Sequence, residues 1–342
     1  MIDVIFREQN VYRENRREHC SFPACCFNSG RNMSKQNLTD YKDTLFRVIT
    51  FGAAMVVLVV IVGIFVSLVE QSLPAIRKFG FFHFITTPTW DPVHEVFGAA
   101  SSLYGTIVTT VLAMAIAIPV SIGIAIFMTE LCPNFLKGAM GTAIELLAAI
   151  PSIIYGMWGL FTLAPIMGNT VEPFLQHTIG KIPYLGSLFS GTPLGIDILT
   201  ASTVLSIMII PFMASIARDT FMLTPQVLRE SAYGIGATRW EVIRNVVLPY
   251  SKGGVFGGMV IAMGRALGET MAVAFVLGNK HQIAHSLLDA SATITVTLAN
   301  EFTEADSNMY MASLFYLALI LFVMSFLTLA AAKFILKERS AP

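Results

Sequence analysis

The chain has 342 residues, of which 55% are hydrophobic and only 13% are charged, and its 22 Lys and Arg balance its 22 Asp and Glu. Soluble domains usually carry about 25% charged residues, so this composition indicates a membrane protein. A net charge of zero gives no basic field for holding nucleic acid, and we expect no nucleic-acid partner. The large apolar fraction also argues against intrinsic disorder.

Six hydrophobic segments are long enough to cross a lipid bilayer, whose hydrocarbon core of about 30 Å needs about 20 helical residues. The predicted transmembrane helices cover residues 48–69, 103–128, 139–163, 198–217, 253–277 and 311–332. The expected fold class is therefore all-α and integral to the membrane. Because six is an even number, both termini are expected on the same side.

The basic residues are unevenly distributed among the segments that join these predicted helices. Seventeen Lys and Arg fall in the two termini and the even-numbered loops, and four fall in the three opposite loops. Cytoplasmic loops carry the excess of Lys and Arg, so both termini are predicted to be cytoplasmic. One further cation, Arg265, falls inside a predicted span.

The first 32 residues differ from the rest of the chain. They hold Cys20, Cys25 and Cys26 among arginine-rich stretches, with no amphipathic period and no secretory hydrophobic region. The adjacent cysteines lack the spacing of a zinc site, so no metal is predicted. We interpret residues 1–32 as a misassigned or disordered extension and residues 33–47 as the cytoplasmic N-terminus.

The predicted cytoplasmic loop at residues 218–252 contains the signals of a first helix. Thr224 and Pro225 mark its start, because Thr can cap a helix and Pro is favoured at the first helical position. Gly234 and Gly236 mark its end.

A second helix is predicted to follow in the same loop. Thr238 and Glu241 have the spacing of a capping box, and the helix they begin is expected to run to Pro249. The loop is therefore predicted to fold as a helical hairpin. It carries no catalytic set of side chains, so it is interpreted as an amphipathic ridge for a partner's groove.

A known sequence motif occupies this hairpin. Its residues here are Glu230-Ser231-Ala232, Gly236, and Val246-Val247-Leu248-Pro249. This spacing resembles the EAA motif of ABC importer permeases, with Ser231 and Val246 as conservative departures. In that family the loop seats in a cleft of the ATPase subunit and transmits closure of the nucleotide-binding dimer.

A wider resemblance covers roughly residues 45–335. The matching stretches are Glu145-Leu-Leu-Ala-Ala-Ile-Pro151-Ser-Ile-Ile-Tyr155-Gly-Met-Trp158-Gly-Leu, Glu230-Ser-Ala-Tyr-Gly-Ile-Gly236, and Gly264-Arg265-Ala-Leu-Gly268-Glu269-Thr270-Met-Ala-Val. They resemble the PstC family of phosphate transport system permeases. The resemblance implies the type I ABC importer (MetI-like) permease fold, with its transmembrane domain over residues 103–332.

The same resemblance implies the location and the partners. The chain is expected in a bacterial inner membrane, with inorganic phosphate as the transported ion. The expected partners are a second permease subunit (PstA-like), two ATPase subunits (PstB-like) and a periplasmic phosphate-binding protein (PstS-like).

Three ionisable residues inside the predicted spans stand out, because each costs about 2.5–3.5 kcal/mol at the middle of a membrane. Arg265 and Glu269 are four residues apart on a predicted helix and are expected to pair on one face. They are interpreted, with Thr270, as lining the phosphate passage; the alternative is a pair that only locks helix packing. Glu145, with Pro151, is assigned a structural or gating role.

The chain lacks the Gly-x-x-x-x-Gly-Lys-Ser/Thr signature of ATP-binding loops. We therefore expect it to bind no cofactor and to rely on ATP used by a partner subunit. The six predicted spans also contain no His, which argues against a membrane-embedded enzyme. Two alternatives stay open: a permease for another oxyanion such as sulfate or molybdate, and an anion channel without ATP coupling.

Overall fold

The computed structural model describes residues 33–178, 180, 182 and 186–339. The interpretation of residues 1–32, including their cysteine cluster, lies outside the described residues. Internal contacts divide the chain into two units, Met1–Ile64 and Phe65–Pro342. All packing described below lies within the second unit.

Helices account for nearly all regular structure in the described part of the chain. They are α1 (Met33–Phe79), α2 (Phe81–Thr86), α3 (Ala100–Ile126), α4 (Asn134–Ala148), α5 (Ser152–Thr178), α6 (Ile198–Met222), α7 (Gln226–Gly234), α8 (Arg239–Leu267), α9 (Met271–Ala274), α10 (Ile294–Glu301) and α11 (Asn308–Arg339). Single π-helical turns extend α3 to Leu131 and lie within α5 and α8. Only two isolated β-bridges occur among these residues, as expected for an all-α fold.

Five helical segments are long and apolar enough to cross a membrane. They are Asp43–Phe79, Ala100–Leu131, Ile198–Met222, Arg239–Leu267 and Asn308–Phe334. The pair α4 and α5 provides a sixth if the two helices form one broken span. Every one of the six predicted spans overlaps one of these segments.

The third predicted span, residues 139–163, consists of two helices that meet at a bend. The chain bends by 86° between α4 and α5, and Pro151 lies at the break with an extended ψ of 137°. Proline has no N–H to donate and disfavours helical geometry in the preceding residue, so the helix ends before it. The second arm also runs past the predicted limit and includes His177.

The bounds of the fifth predicted span, residues 253–277, are also wrong at both ends. The helix α8 begins at Arg239 and passes through Pro249, because the π turn Ile243–Val247 directly before it changes the backbone register and accommodates the ring. It ends at Leu267, where Gly268 is the C-cap. The predicted hairpin helix and the predicted span are therefore one continuous helix.

The main core lies where α3, α6 and α8 pack together. Leu205, Ile209 and Met213 of α6 are fully buried in it. Helix α8 packs closely against α6 because glycines lie at the contact. A Cβ added at Gly254 would lie 2.3 Å from a side chain of α6, and one added at Gly258 would lie 2.7 Å from another. Small residues let helix backbones come together in this way.

Candidate functional site

The first helix of the hairpin, α7, differs in its start from the sequence prediction. Pro225 is the N-cap residue rather than the first helical residue, and no side chain caps the helix. The hydroxyl of Thr224 is buried without a hydrogen-bond partner, so the expected Thr cap is wrong. The helix ends at Gly234 as predicted, and Gly236 has a φ of +89°, a conformation that favours glycine.

The capping box at the start of α8 is confirmed. The Thr238 side chain accepts a hydrogen bond from the Glu241 N–H at 3.4 Å, and the Glu241 carboxylate accepts one from the Thr238 N–H at 2.7 Å. This reciprocal pair satisfies two backbone donors that a helix start otherwise leaves free. Local sequence alone therefore fixes where α8 begins.

A buried ion pair, which the sequence analysis missed, ties α7 to the transmembrane helices. Arg229 Nη1 lies 2.7 Å from Glu130 Oε1, and Arg229 Nη2 donates to the Phe221 carbonyl at 2.7 Å. The side chains of Arg229 and Glu130 are only 19% and 9% exposed. Glu130 lies in the π turn that extends α3, so this one arginine connects α3, α6 and α7.

The hairpin also carries a group of exposed apolar side chains. Ile235 is 88% exposed and Val227 is 70% exposed. The other large exposed apolar side chains are Leu228, Tyr233 and Trp240. An apolar patch of this kind on a projecting element is typical of a protein-binding surface.

The predicted coupling residues divide between this exposed surface and the core. Those that are exposed are Glu230, Ser231, Gly236 and Pro249. Ser231 donates its hydroxyl to the Val227 carbonyl at 2.7 Å and is held against the helix. Ala232 and Leu248 are half-buried and pack against the main core, so they anchor the hairpin.

The expected ion pair between Arg265 and Glu269 is wrong. Arg265 lies in the last turn of α8, whereas Glu269 follows the Gly268 cap and is no longer on the helix. The Glu269 carboxylate accepts the Ala272 N–H at 3.3 Å, at the start of α9. The glycine breaks the four-residue periodicity on which the pairing depended.

Arg265 is left without an ion pair among the described residues. Its guanidinium lies 5.8 Å from the centroid of the Phe212 ring, a cation–π contact, and the residue is exposed on the surface of the chain. An aromatic face stabilises a cation by about 0.5–2 kcal/mol without neutralising it. The positive charge is therefore available to a ligand or to another chain.

Thr270 lies beside a different feature, an open cleft of about 380 Å³. Thr295 and Phe302 line the same cleft, and Arg265 is not among its lining residues. The Thr295 hydroxyl donates to the Glu269 carbonyl at 2.7 Å, which fixes the backbone between α8 and α9. The three residues predicted to form one passage thus have separate surroundings.

Glu145 forms an ion pair with Arg218 of α6, with Nη2 and Oε1 3.0 Å apart. Arg218 also contacts the neighbouring Asp219 carboxylate. Near the break at Pro151, the Tyr155 hydroxyl donates to the Leu147 carbonyl at 2.9 Å and joins the two arms of the bent helix. Glu145 and Pro151 therefore lie at a bent junction, with Glu145 bonded to α6.

A second buried carboxylate, Glu301, collects three donors from distant parts of the chain. Its Oε2 accepts from Trp90 Nε1 at 2.5 Å and from the Tyr310 hydroxyl at 2.9 Å, and its Oε1 lies 2.8 Å from His281 Nε2. No sequence signal predicted this cluster, because Trp90 and Glu301 are 211 residues apart. Within the described residues, no group of three or more metal-ligating side chains occurs.

Comparison with known proteins places the chain in a family. Residues 118–336 match the family described as "Binding-protein-dependent transport system inner membrane component". The chain is 53% identical over 299 residues to the "Phosphate transport system permease protein PstC" of Mesorhizobium japonicum, covering 87% of this chain and 91% of that protein. It is 48% identical over 298 residues to the protein of the same name from Xylella fastidiosa, with the same coverage.

Solved structures show the same fold. A bacterial ABC transporter involved in the import of the acidic polysaccharide alginate has a chain that aligns with 90% of this one, at a TM-score of 0.57 and 17% identity. An inward-facing form of the MetNI methionine ABC transporter aligns with 74% of this chain, at a TM-score of 0.52 and 15% identity. The fold class predicted from the sequence is confirmed.

The family match covers most of the chain, and the relatives match over nearly their whole length. The helices and the family together make this a multi-pass membrane protein. The chain belongs to the binding-protein-dependent transport system inner membrane components and, among them, to the PstC family of permeases.

Proposed function

We propose that this chain is the permease subunit of an ATP-driven importer of inorganic phosphate. It forms part of the translocation pathway and couples to a separate ATPase through the hairpin of α7 and the start of α8. The relatives' names support phosphate as the substrate. The observation in this structure that carries the proposal is the unpaired, exposed Arg265 in a helix apolar enough to span a membrane.

An arginine on the surface of a membrane helix requires a polar neighbour. Facing hydrocarbon would cost about 2.5–3.5 kcal/mol, and within the described residues no carboxylate pairs with Arg265. A second permease subunit packed on this face, with an aqueous path between the two chains, removes that cost. The planar guanidinium fork matches phosphate oxygens and binds them with charge-assisted hydrogen bonds.

Glu269 and Thr270 take a different role from the one that pairing implied. Glu269 holds the first turn of α9, and Thr295 holds the Glu269 carbonyl. We assign to this segment the positioning of the pathway immediately beyond Arg265. Replacing Glu269 would then alter the pathway through the backbone rather than by freeing the arginine.

The hairpin suits an ATPase partner because its exposed face is apolar while its inner face is anchored. Val227 and Ile235 project outward, and Arg229 fixes the same helix to Glu130. The ATPase binds and hydrolyses ATP, and the permease chain binds no cofactor. The proposed complex contains a PstA-like second permease, two PstB-like ATPase subunits and a PstS-like binding protein outside the membrane.

The continuous helix α8 provides the mechanical connection. It holds Arg239 at the hairpin and Arg265 near its other end, about 39 Å apart at 1.5 Å per residue. Displacement of the hairpin by the closing ATPases would therefore move the arginine directly. We propose that both termini lie in the cytoplasm with the hairpin, and the distribution of basic residues supports this orientation. Glu145 and Arg218 act as a gating pair beside the bend at Pro151.

The test is uptake by proteoliposomes that contain the whole complex. We expect Arg265→Gln to reduce ATP-dependent phosphate uptake by at least tenfold, and Arg265→Lys to retain an intermediate rate because it keeps the charge and loses the fork. Wild-type uptake by Arg265→Gln would contradict the role of the arginine. Competition by sulfate or molybdate equal to that by phosphate would favour another oxyanion, and uptake without ATP would favour a channel.

A further inference from the structure

Two carboxyl groups at the junction of α5 and α6 are fully buried. Glu172 and Asp197 are both 0% exposed. Asp197 is the N-cap of α6, with Oδ1 accepting the Thr200 N–H at 2.8 Å, and Glu172 Oε2 accepts the Gly195 N–H at 3.3 Å. One oxygen of each carboxyl group is therefore occupied by a backbone donor.

The other oxygen of each carboxyl group has no hydrogen-bond partner. Glu172 Oε1, Asp197 Oδ2 and Thr200 Oγ1 are all buried and make no hydrogen bond. Glu172 accepts the N–H of Gly195, two residues before Asp197, and Asp197 accepts the N–H of Thr200, so the two carboxyl groups and the Thr200 hydroxyl belong to one buried turn, where the carboxyl groups interact. The unpartnered hydroxyl of a fully buried threonine is thus directed into the same small polar site.

No cation compensates this pair in the described part of the chain. Neither Glu172 nor Asp197 forms an ion pair with Lys, Arg or His. Another titratable group on the packed loops is Asp289, whose carbonyl accepts the Ile198 N–H and whose carboxylate accepts the His285 and Ser286 N–H groups. Asp289 therefore adds no positive charge.

Two ionised carboxylates cannot remain in this environment. Burial penalises each charge, and the like charge beside it penalises it again. Neighbouring buried carboxyl groups resolve the conflict by keeping one proton between them. A metal ion is a poorer solution, since oxygen-binding cations such as Ca²⁺ take about six to eight ligands and two carboxyl groups with one hydroxyl supply fewer.

We propose that Glu172 and Asp197 form a proton-binding site, in which one proton is shared between Glu172 Oε1 and Asp197 Oδ2 and the Thr200 hydroxyl completes the network. The bound proton fastens the end of α5 to the start of α6. When it is lost at alkaline pH, the two carboxylates repel and the junction loosens. This inference does not depend on which anion the permease carries.

The sign of the pH effect follows from linkage. The folded chain holds a proton that the unfolded chain releases, so the free energy of unfolding falls as the pH rises. Glu172→Gln replaces the shared proton with an amide N–H, and Asp197→Asn keeps an oxygen for the helix cap. Both variants therefore keep a hydrogen bond between the two side chains and remove its dependence on pH.

The experiment uses the full-length chain in lipid nanodiscs. Infrared spectroscopy at neutral pH should show a protonated carboxylic acid that disappears in Glu172→Gln and in Asp197→Asn. The matched control is Glu95→Gln, which removes an exposed carboxylate paired with Lys78 and should leave that band unchanged. The thermal midpoint of the wild type should fall by at least about 3 °C relative to Glu172→Gln between about pH 6 and about pH 9.

Several results would overturn the proposal. They are an infrared band that is missing from the wild type or that persists unchanged in both variants, and parallel pH dependences of the thermal midpoint in the wild type and in Glu172→Gln. Loss of folding in both amide variants would also overturn it, because each preserves the hydrogen bond. A thermal midpoint that depends on the Na⁺ or K⁺ concentration and not on the pH would show that the site binds a metal cation and not a proton.

Discussion

Replacement of Arg229 by Ala tests how the hairpin is held to the membrane helices. The substitution removes the 2.7 Å contact with Glu130 and the 2.7 Å hydrogen bond to the Phe221 carbonyl. It also leaves Glu130, which is 9% exposed, without its cation. The variant therefore loses two charge-assisted hydrogen bonds and leaves a buried negative charge uncompensated.

The expected magnitude follows from that burial. Removal of one partner from a buried ion pair costs about 3–5 kcal/mol, whereas exposed pairs contribute about 0–1 kcal/mol. We take about 3 kcal/mol, because the Arg229 side chain keeps 19% of its exposure and some contact with solvent. At about 1.4 kcal/mol per factor of ten, the equilibrium between docked and released α7 should shift by about a hundredfold.

Hydrogen–deuterium exchange of the α7 amides measures this equilibrium. Protection of Gln226–Gly234 should fall by about a hundredfold in Arg229→Ala, and the capped start of α8 should change less. The neighbouring Glu230 is exposed and makes no ion pair within the described residues, so Glu230→Ala is the matched control and should leave protection within about twofold. Transport coupled to ATP should weaken in parallel with the loss of protection.

Two results would refute the reasoning about Arg229. Unchanged α7 protection in Arg229→Ala would show that the apolar contacts of the hairpin alone hold it in place. An equal loss in Glu230→Ala would show that any charge change in this helix loosens it. Partial recovery of protection in the charge-swapped variant Glu130→Arg/Arg229→Glu would support the ion pair directly.

Two other substitutions have matched controls in the chain. Gly236→Ala should destabilise the hairpin by about 1–2 kcal/mol and weaken co-purification of an ATPase, because the φ of Gly236 is +89°. The new Cβ would meet no other atom, so only the backbone conformation is tested. The control is Gly234→Ala, which is equally unobstructed but has no positive φ and should be neutral or stabilising. Glu301→Gln should lower the free energy of unfolding by about 2–3 kcal/mol, because an amide N–H₂ would face hydrogen-bond donors. Thermal unfolding followed by tryptophan fluorescence measures this loss, and the exposed Glu304→Gln should change the free energy of unfolding by less than about 0.5 kcal/mol.

The location of the membrane helices could be predicted because it depends on local composition. A run of about 20 apolar residues is expelled from water wherever it occurs, so each predicted span overlaps a helix of the structure. The capping box of Thr238 and Glu241 could also be predicted, because its two residues are only three positions apart in the sequence. The exposed surface of the hairpin also follows from a motif that lies within a single loop.

The errors at the ends of the spans have visible causes in the sequence. The break before Pro151 and the end of α8 at Gly268 are both marked by residues that disfavour continued helix. Hydropathy does not detect them, because these residues lie within apolar runs. The end of α8 at Gly268 matters for Arg265, because Glu269 lies beyond the helix and does not form the expected ion pair.

The sequence by itself determined that this chain is a membrane-spanning permease with an exposed coupling hairpin, because apolar length, capping and motif spacing are local properties of the chain. Only the tertiary structure decided which charges are paired. Glu130 and Arg229 are 99 residues apart, and Glu145 and Arg218 belong to different helices. The free energy of a buried charge depends on the groups that folding brings beside it, and no local pattern contains that information.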